Sequence, residues 1–234
     1  MSVDSRDGRR RGWPSTTFLG QLHDGARRVA LNLGTQRRVA AGESLLVEGT
    51  ASDCVYLLLS GLYKVTGNLG SGHRESLIAI RVGGDIVGEI GLADGQPRSA
   101  AVRSVGEGVV RRVGDRDFYG FLAAFPDANR AMTRAMASKL RSATRRRVEF
   151  SAFPAPARLA RVLLEMATTY GVSTSEGIEI SVELTQPELA ALVGAADATI
   201  HRVLTQLRKD QIVDTGYRRV RVRDLRRLEA MTES

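Results

Sequence analysis

The chain has 234 residues, 43% of them hydrophobic, which is enough for one large domain or two ordinary domains with filled cores. No apolar run approaches the ~18 residues of a membrane span, and the first residues lack the apolar stretch of a signal peptide. We therefore expect a cytoplasmic protein that does not use a membrane. Its single cysteine, Cys54, excludes an internal disulfide and a multi-cysteine iron–sulfur cluster built by one chain.

The formal net charge of +8 is spread unevenly along the chain. Residues 127–149 hold seven Lys or Arg against two acidic residues, and residues 199–227 hold nine against three. Positive segments of this kind fit a polyanion such as nucleic acid, although basic clusters are more often solvated faces. Charge alone therefore indicates a nucleic-acid partner only weakly.

The N-terminal half is predicted to be a short helix followed by many strands. Apolar residues at helical spacing predict one amphipathic helix within residues 15–33. From residue 39, short runs rich in Val, Ile, Leu and Tyr predict seven or eight strands of an antiparallel barrel or sandwich. Ser60 and Gly61 separate two runs so closely that a tight hairpin is expected, while the segment NLGSGHR predicts a longer loop.

A long helix is predicted over residues 127–152, which contain neither Gly nor Pro. Its apolar residues form a narrow stripe, which is typical of a coiled-coil seam between two subunits and predicts a homodimer. Packing of the stripe on its own β-rich domain is the alternative, and the two arrangements can hold for different turns. The expected domains are residues 15–126, the dimerisation helix 127–152 and, beginning with a proline hinge, residues 153–228.

The C-terminal part is predicted to contain two helices joined by a sharp turn. Thr185 and Glu188 form a capping box, and Gly194 permits the turn. Polar residues of the second helix lie off its apolar face, where they can reach phosphates and base edges in a major groove. The alternating YRRVRV segment after it predicts a basic wing, and a mere packing module is the alternative. The candidate DNA-contacting residues are Thr185, Ala196, Asp197, Thr199, His201, Arg202 and Gln206.

Residues 88–102, GEIGLADGQPRSAAV, carry groups that suit a cyclic phosphate. Glu89 can accept a ribose 2′-hydroxyl, and backbone N–H groups around Ile90 can direct their dipoles at an anion. Arg98 offers a charge-assisted fork to phosphate oxygens, and Ser99 adds a hydroxyl. Gly88 lets the backbone approach a ligand closely. A plain loop with a structural Arg98–Glu89 pair is the alternative.

At these residues, called the cassette below, the chain resembles the Crp/Fnr family, the cyclic AMP receptor protein and its relatives. The resemblance covers essentially the whole length and includes the Gly-Glu pair, its nine-residue spacing to Arg98-Ser99, and TQPELAALVGAADATIHRVL. It implies an α+β protein with an N-terminal antiparallel β-barrel or jelly roll, a long dimerisation helix and a C-terminal winged helix-turn-helix.

The resemblance also implies a function: a homodimeric, sequence-specific transcription regulator that is not an enzyme, binds double-stranded DNA, contacts RNA polymerase and senses a cyclic nucleotide, with cyclic AMP favoured. By position, Thr144 matches a polar residue that meets the purine. Asp197-Ala198 replaces the family's Arg-Glu reading pair, so a different operator is expected.

Several alternatives stay open for the effector. Cyclic GMP, another effector or no effector fits the same DNA-binding regulator, and a module acting on a protein partner is the alternative of another class. Haem has one appealing candidate ligand, His73, and no metal site is expected.

Overall fold

The computed structural model describes residues 13–68, 75–180 and 182–233. His73 and the rest of the predicted loop over 69–74 lie outside the described residues. In the part of the chain that is described, no helix is both long enough and apolar enough to cross a membrane.

The helices and strands follow one another in an order that places a β-rich half before a mostly helical half. The helices are α1 (Phe18–Gln21), α2 (Asp24–Ala30), α3 (Glu89–Asp94), α4 (Asp115–Ala124), α5 (Pro126–Ala152), α6 (Ala155–Tyr170), α7 (Gln186–Val193), α8 (Asp197–Lys209) and α9 (Leu225–Ala230). The strands are β1 (Thr35–Val39), β2 (Ser44–Leu46), β3 (Cys54–Ser60), β4 (Leu62–Asn68), β5 (Glu75–Val82), β6 (Ile86–Val87), β7 (Ala101–Ser104), β8 (Gly108–Gly114), β9 (Gly171–Thr174), β10 (Gly177–Ile180), β11 (Val213–Gly216) and β12 (Arg219–Val222).

The prediction of one helix within residues 15–33 is wrong, because the structure has two short helices there. Thr17 caps α1 by accepting a hydrogen bond from the Gly20 N–H, and the backbone then becomes extended at Leu22 and His23 before α2 begins. Leu22 is buried among the β-strands, so the extended stretch turns it into the core.

Strands β1–β8 form two four-stranded antiparallel sheets in the described residues, with strand orders β1-β8-β3-β6 and β2-β7-β4-β5. This arrangement, called the β-sandwich below, is jelly-roll-like and confirms the predicted fold class, although the sheets do not close into a barrel. The expected tight hairpin at Ser60-Gly61 is wrong. Strand β3 pairs with β8 and β6, whereas β4 pairs with β5 and β7, so the turn carries the chain from one sheet to the other.

The apolar side chains of helix α5 are buried in its first turns and exposed in its later turns. In its first turns, Ala128, Met132 and Ala135 are buried against the β-sandwich. Farther along, Leu140 and Val148 are exposed, by 68% and 58%. The apolar stripe therefore packs on its own chain at the start of α5 and is exposed in later turns, where the coiled-coil seam between two subunits stays a prediction.

The C-terminal part, from α6 to α9, is a winged helix-turn-helix. Thr185 accepts a hydrogen bond from the Glu188 N–H while the Glu188 carboxylate accepts one from the Thr185 N–H, so the capping box is present. Gly194 has a φ of 66°, in the left-handed region, and makes the turn from α7 to α8. Strands β9–β12 form a sheet beside these helices, and the β11–β12 hairpin is the wing.

The C-terminal part is docked on the β-sandwich. Leu77 and Ile80 of strand β5 belong to the same buried apolar cluster as the helices of the C-terminal part. Beside them, Lys64 Nζ of β4 lies 2.7 Å from a Glu188 carboxylate oxygen of α7, and both side chains are largely buried. Arg146 of α5 also donates to the Ile78 carbonyl.

Candidate ligand-binding and DNA-binding sites

The cassette folds as a tight turn, the short helix α3 and an extended return. Gly88 precedes α3 with a φ of 88°, a conformation that L side chains rarely adopt. A Cβ at this position would lie 2.7 Å from Arg98 Nη1, so a larger residue would also force the Arg98 guanidinium to shift. Ile90 and Ser99 are exposed, whereas Glu89 and Arg98 are buried.

Substituting Gly88 tests this description of the turn. We expect Gly88→Ala to lower the free energy of unfolding by roughly 2 kcal/mol, because the left-handed conformation and the contact with Arg98 both oppose a Cβ. Gly95→Ala is the matched control, since Gly95 has a φ of 70° with nothing within 4 Å of its Cβ position. Urea unfolding should give a loss of about 1 kcal/mol for the control. Equal losses in the two variants would contradict the close approach.

The Arg98 guanidinium faces the protein interior. Its Nη1 donates to the Gly88 carbonyl at 2.8 Å, and its Nη2 lies 3.4 Å from both Asp53 Oδ1 and Cys54 Sγ. The Asp53 carboxylate also pairs with Arg112 at 2.5 Å. Burial raises the pKa of Asp53, but the contacts with Cys54, Arg112 and Arg98 outweigh it, so the net pKa is lowered and Asp53 is held as an anion.

Glu89 does not pair with Arg98, so the structural pair considered from the sequence is not formed. Instead Lys139 Nζ of helix α5 donates to Glu89 Oε1 at 2.7 Å and to the Ile86 carbonyl at 2.7 Å. The Lys139 side chain is 17% exposed and that of Glu89 is 4% exposed. Burial lowers the pKa of Lys139 more than the neighbouring Glu89 raises it. This pair joins the cassette to α5.

Thr144 lies on the exposed surface of α5. In the described part of the chain, two cavities of about 390 and 300 Å³ flank α6, and the predicted ligand residues line neither of them. Ser142 and Ala143, the residues just before Thr144, do line the smaller cavity, together with Lys139. Within the described residues, no three His, Cys, Asp or Glu side chains group as ligands for a metal ion.

Helix α8 presents a polar face to solvent. Its apolar face is buried in the C-terminal core through Ile200, Val203, Leu204 and Leu207. Of the candidate DNA-contacting residues, Ala196, Asp197, His201, Arg202 and Gln206 are exposed, whereas Thr185 and Thr199 are half-buried. The His201 ring lies 3.3 Å from the Gln186 side chain at the start of α7, so the beginnings of both helices share one surface.

The arginines of the wing differ in their availability. Arg221 pairs with Glu176 and Glu179, and Arg223 pairs with Asp214. The side chain of Arg219, at the tip, is exposed and has no ion-pair or hydrogen-bond partner among the described residues. The sequence treats these arginines as one group, but Arg218 in the turn also pairs with Glu183, whereas the Arg219 side chain is free to contact a phosphate.

Sequence reasoning missed Asp53 and Lys139. A weak signal existed for Lys139, which follows Ala135 by four residues and so shares its helical face. Asp53 directly precedes a buried strand but has no spacing relation to Arg98, because their contact spans 45 residues.

Comparison with known proteins shows the class of protein to which the chain belongs. A model described as a cyclic nucleotide-binding domain matches residues 36–125, and one described as a Crp-like helix-turn-helix domain matches residues 157–231. The CRP-like cAMP-activated global transcriptional regulator of Mycobacterium tuberculosis is 30% identical over 165 residues, which cover 70% of this chain and 72% of the relative. A CRP-family transcriptional regulator from Thermus thermophilus is 27% identical with a TM-score of 0.72, covering 85% of this chain and 97% of that one.

The fold is shared more widely. The c-di-GMP-responsive global regulator CLP of Xanthomonas campestris superimposes with a TM-score of 0.73 at 20% identity, covering 86% of this chain and 99% of that one. A cyclic nucleotide-binding domain followed by a Crp-like helix-turn-helix domain defines a DNA-binding transcription regulator. The chain belongs to the Crp/Fnr family of such regulators, as its sequence predicts.

Proposed function

We propose that this regulator acts as a homodimer whose DNA binding is controlled by a cyclic nucleotide, with cyclic AMP favoured, bound at the cassette. The observation that carries the proposal is the joint burial of Glu89 and Arg98 within the matched cyclic nucleotide-binding domain, with Glu89 joined directly to α5 through Lys139. A ligand that replaces the Glu89–Lys139 contact with its own contacts changes how the cassette is held on α5. Because α5 leads to α6 of the DNA-binding domain, such a change can shift the population of two domain arrangements.

Binding of the phosphate requires Arg98 to exchange partners. Its guanidinium holds the Gly88 carbonyl and Asp53, and a cyclic phosphate offers stronger charge-assisted acceptors for the same donors. Ser99 is exposed one residue away, where its hydroxyl can reach the same phosphate. Glu89, now paired with Lys139, is the acceptor proposed for the ribose hydroxyl.

The second half of α5 supports the homodimer. Leu140, Thr144 and Val148 recur every four residues and are exposed, so they form one unpartnered stripe on the described chain. Two such stripes can pair as a short coiled coil. In this dimer Thr144 faces the partner subunit. Sedimentation of wild type and of a Leu140→Glu variant would show whether the dimer depends on this stripe.

Titration of the purified full chain with cyclic AMP, cyclic GMP and cyclic di-GMP by calorimetry tests the effector. The third nucleotide is included because the Xanthomonas protein of the same fold is described as responding to it. Saturable binding of cyclic AMP, together with tighter binding of duplex DNA in its presence, is the expected result. Folded protein that binds none of the three would overturn the nucleotide proposal and favour another effector or none.

For DNA reading, we propose that the exposed face of α8 enters the major groove, with Arg202 among the base-reading side chains. The wing tip and the start of α7 then contact phosphates on either side. Contact with RNA polymerase and a cytoplasmic location follow from this proposed role as a transcription regulator. The other class, a module acting on a protein partner, leaves the exposed polar face of α8 without a role.

Substituting Arg202 separates base-specific recognition of the operator from nonspecific electrostatic attraction to DNA. We expect Arg202→Ala to weaken binding to a selected operator by about 10–100-fold, the cost of losing one good base contact. Arg130→Ala is the matched control, because Arg130 is also exposed but lies near the start of α5. Gel-shift titrations at one fixed salt concentration give both affinities. The assignment fails if both variants lose the same small factor.

A further inference from the structure

The side chain of Arg158, in the first turn of α6, joins the end of α5 to the turn of the helix-turn-helix. Its Nη1 donates to the Phe153 carbonyl at 2.7 Å and to the Phe150 carbonyl at 3.1 Å, both at the end of α5. Its Nε donates to the Val193 carbonyl at 2.9 Å, and its Nη2 donates to the Gly194 carbonyl at 3.0 Å, both at the end of α7. One guanidinium therefore holds carbonyls from the ends of two helices.

The carbonyls at these helix ends need such a partner. The last C=O groups of a helix have no N–H partner within the helix, and the helix dipole places partial negative charge on them. Where two such ends meet, as those of α5 and α7 do at Arg158, their negative charges repel each other unless a cation lies between them. Arginine suits this place because its planar guanidinium donates in several directions at once.

The ring of Phe150 adds an apolar contact at the same place. Arg158 Cζ lies 4.8 Å from the centroid of this ring, within the range of a cation–π interaction. A Cβ on Gly194 would lie 2.8 Å from Phe150 Cδ2, so a larger residue there would force the ring to shift. The end of α5 therefore contacts the turn of the helix-turn-helix directly as well as through Arg158.

Arg161, one turn farther along α6, makes a second link between α5 and the DNA-binding domain. Its Cζ lies 4.0 Å from the centroid of the Phe153 ring, and its Nη1 lies 3.3 Å from a Glu149 carboxylate oxygen of α5. It also donates to the Thr232 carbonyl through Nε at 2.9 Å and through Nη2 at 2.6 Å. The contacts of Arg158 and Arg161 are together called the arginine clamp. They bridge the break between α5 and α6.

We propose that Arg158 is a positioning residue for DNA binding, because the arginine clamp holds the last turn of α5 and the helix-turn-helix as one rigid unit. The dimer seam proposed on α5 then sets the separation and the angle between the two copies of α8. A rigid connection favours operators whose half-sites match that separation, because a mismatched operator cannot engage both copies at once. The inference rests on the proposed homodimer and adds the residue that determines which spacing of half-sites the dimer accepts.

The test measures the affinity of the full chain for two duplexes with the same half-sites, one at the preferred spacing and one with a single further base pair between them. Wild type should prefer the first duplex, and Arg158→Gln should lower that preference by about 10-fold, because a loose connection loses part of the gain from binding both half-sites. Affinity for a duplex with one half-site should change little, since α8 is untouched. Gel-shift titrations at one salt concentration give all three affinities.

Arg227→Gln is the matched control. Arg227 also donates to a carbonyl at a helix end, that of Asp210 after α8, but both residues lie within the DNA-binding domain. The substitution removes the same charge as Arg158→Gln and leaves the clamp intact, so its preference for spacing should equal that of wild type. An equal loss of preference in this control would trace the effect to charge and overturn the role of Arg158.

Binding to one half-site separates a loss of positioning from a loss of folding, because an unfolded domain binds no duplex. If Arg158→Gln fails to bind it, Arg158→Lys gives the same measurement, since lysine keeps the charge but lacks the planar fork. Failure of both variants there would make Arg158 a folding residue and overturn the proposal. Wild-type preference in a variant that binds one half-site would overturn it too, and leave the homodimer standing. A wild type without any preference for spacing would overturn both.

Discussion

Replacing Lys139 with methionine is expected to lower the free energy of unfolding by about 3–5 kcal/mol, because it leaves the Glu89 carboxylate buried without its partner. The Glu89 side chain is 4% exposed, so water cannot replace the lost ammonium group. Methionine keeps the length and apolar stem of lysine, so the variant removes only the charge and the hydrogen bonds to Glu89 and the Ile86 carbonyl. Urea unfolding at neutral pH measures the loss.

The double variant Lys139→Met/Glu89→Gln is the control for this first prediction. With both charges removed, most of the lost stability should return, since a neutral amide costs far less to bury than an unpaired carboxylate. A double variant as unstable as Lys139→Met would mean that lysine stabilises the fold through its packing or its hydrogen bond to the Ile86 carbonyl rather than through the ion pair.

The same pair gives a pH dependence with a defined sign. Because burial lowers the pKa of Lys139, the unfolded chain binds this proton more tightly than the folded chain does. The free energy of unfolding of the wild type therefore rises with pH in the window between the lowered pKa and the ordinary lysine value of ~10.4. Lys139→Met lacks this rise, so the stability difference between the two proteins should grow at alkaline pH.

Replacing Arg98 with alanine is expected to weaken cyclic AMP binding by about 100-fold or more. Two charge-assisted hydrogen bonds to a phosphate contribute about 3 kcal/mol or more, even after the guanidinium gives up Asp53. Isothermal calorimetry on the full chain gives the affinity, and the melting temperature shows whether the variant remains folded.

Arg112→Ala is the matched control for Arg98→Ala. Arg112 pairs with the same Asp53 carboxylate but is 45% exposed and lies outside the cassette, on strand β8. Its loss removes an Asp53 contact but leaves Arg98, the side chain proposed to bind the phosphate. Nucleotide affinity should therefore change little. If Arg98→Ala binds cyclic AMP as wild type does, the phosphate is held elsewhere and the cassette assignment is wrong.

The features predicted well from the sequence are those fixed by neighbouring residues. The capping box at Thr185, the left-handed Gly194 and the long helix ending before Pro154 all depend on contacts within one or two turns. Alternating apolar runs likewise predict strands, since each strand must bury one face.

What could not be predicted depends on partners far away in the chain. The turn at Ser60-Gly61 looks local, but whether it closes a hairpin is decided by the pairing of β3 with β8 and β4 with β5. In the cassette, residue types predict a phosphate site, and that assignment stays a prediction; the inward orientation of Arg98 depends on Asp53 and the pairing of Glu89 on Lys139, which the sequence does not predict. Spacing along the chain contains no information on either contact.

The docking of the C-terminal part on strand β5 has a consequence for how the molecule melts. Leu77 and Ile80 complete an apolar core that otherwise belongs to the DNA-binding domain, and the Lys64–Glu188 pair lies at the same place. Separation of the two parts exposes that surface to water, so neither part loses its structure without a free-energy cost to the other. Heating should therefore unfold the chain as one cooperative unit, and a small molecule that binds one half also protects the other half from heat and proteases.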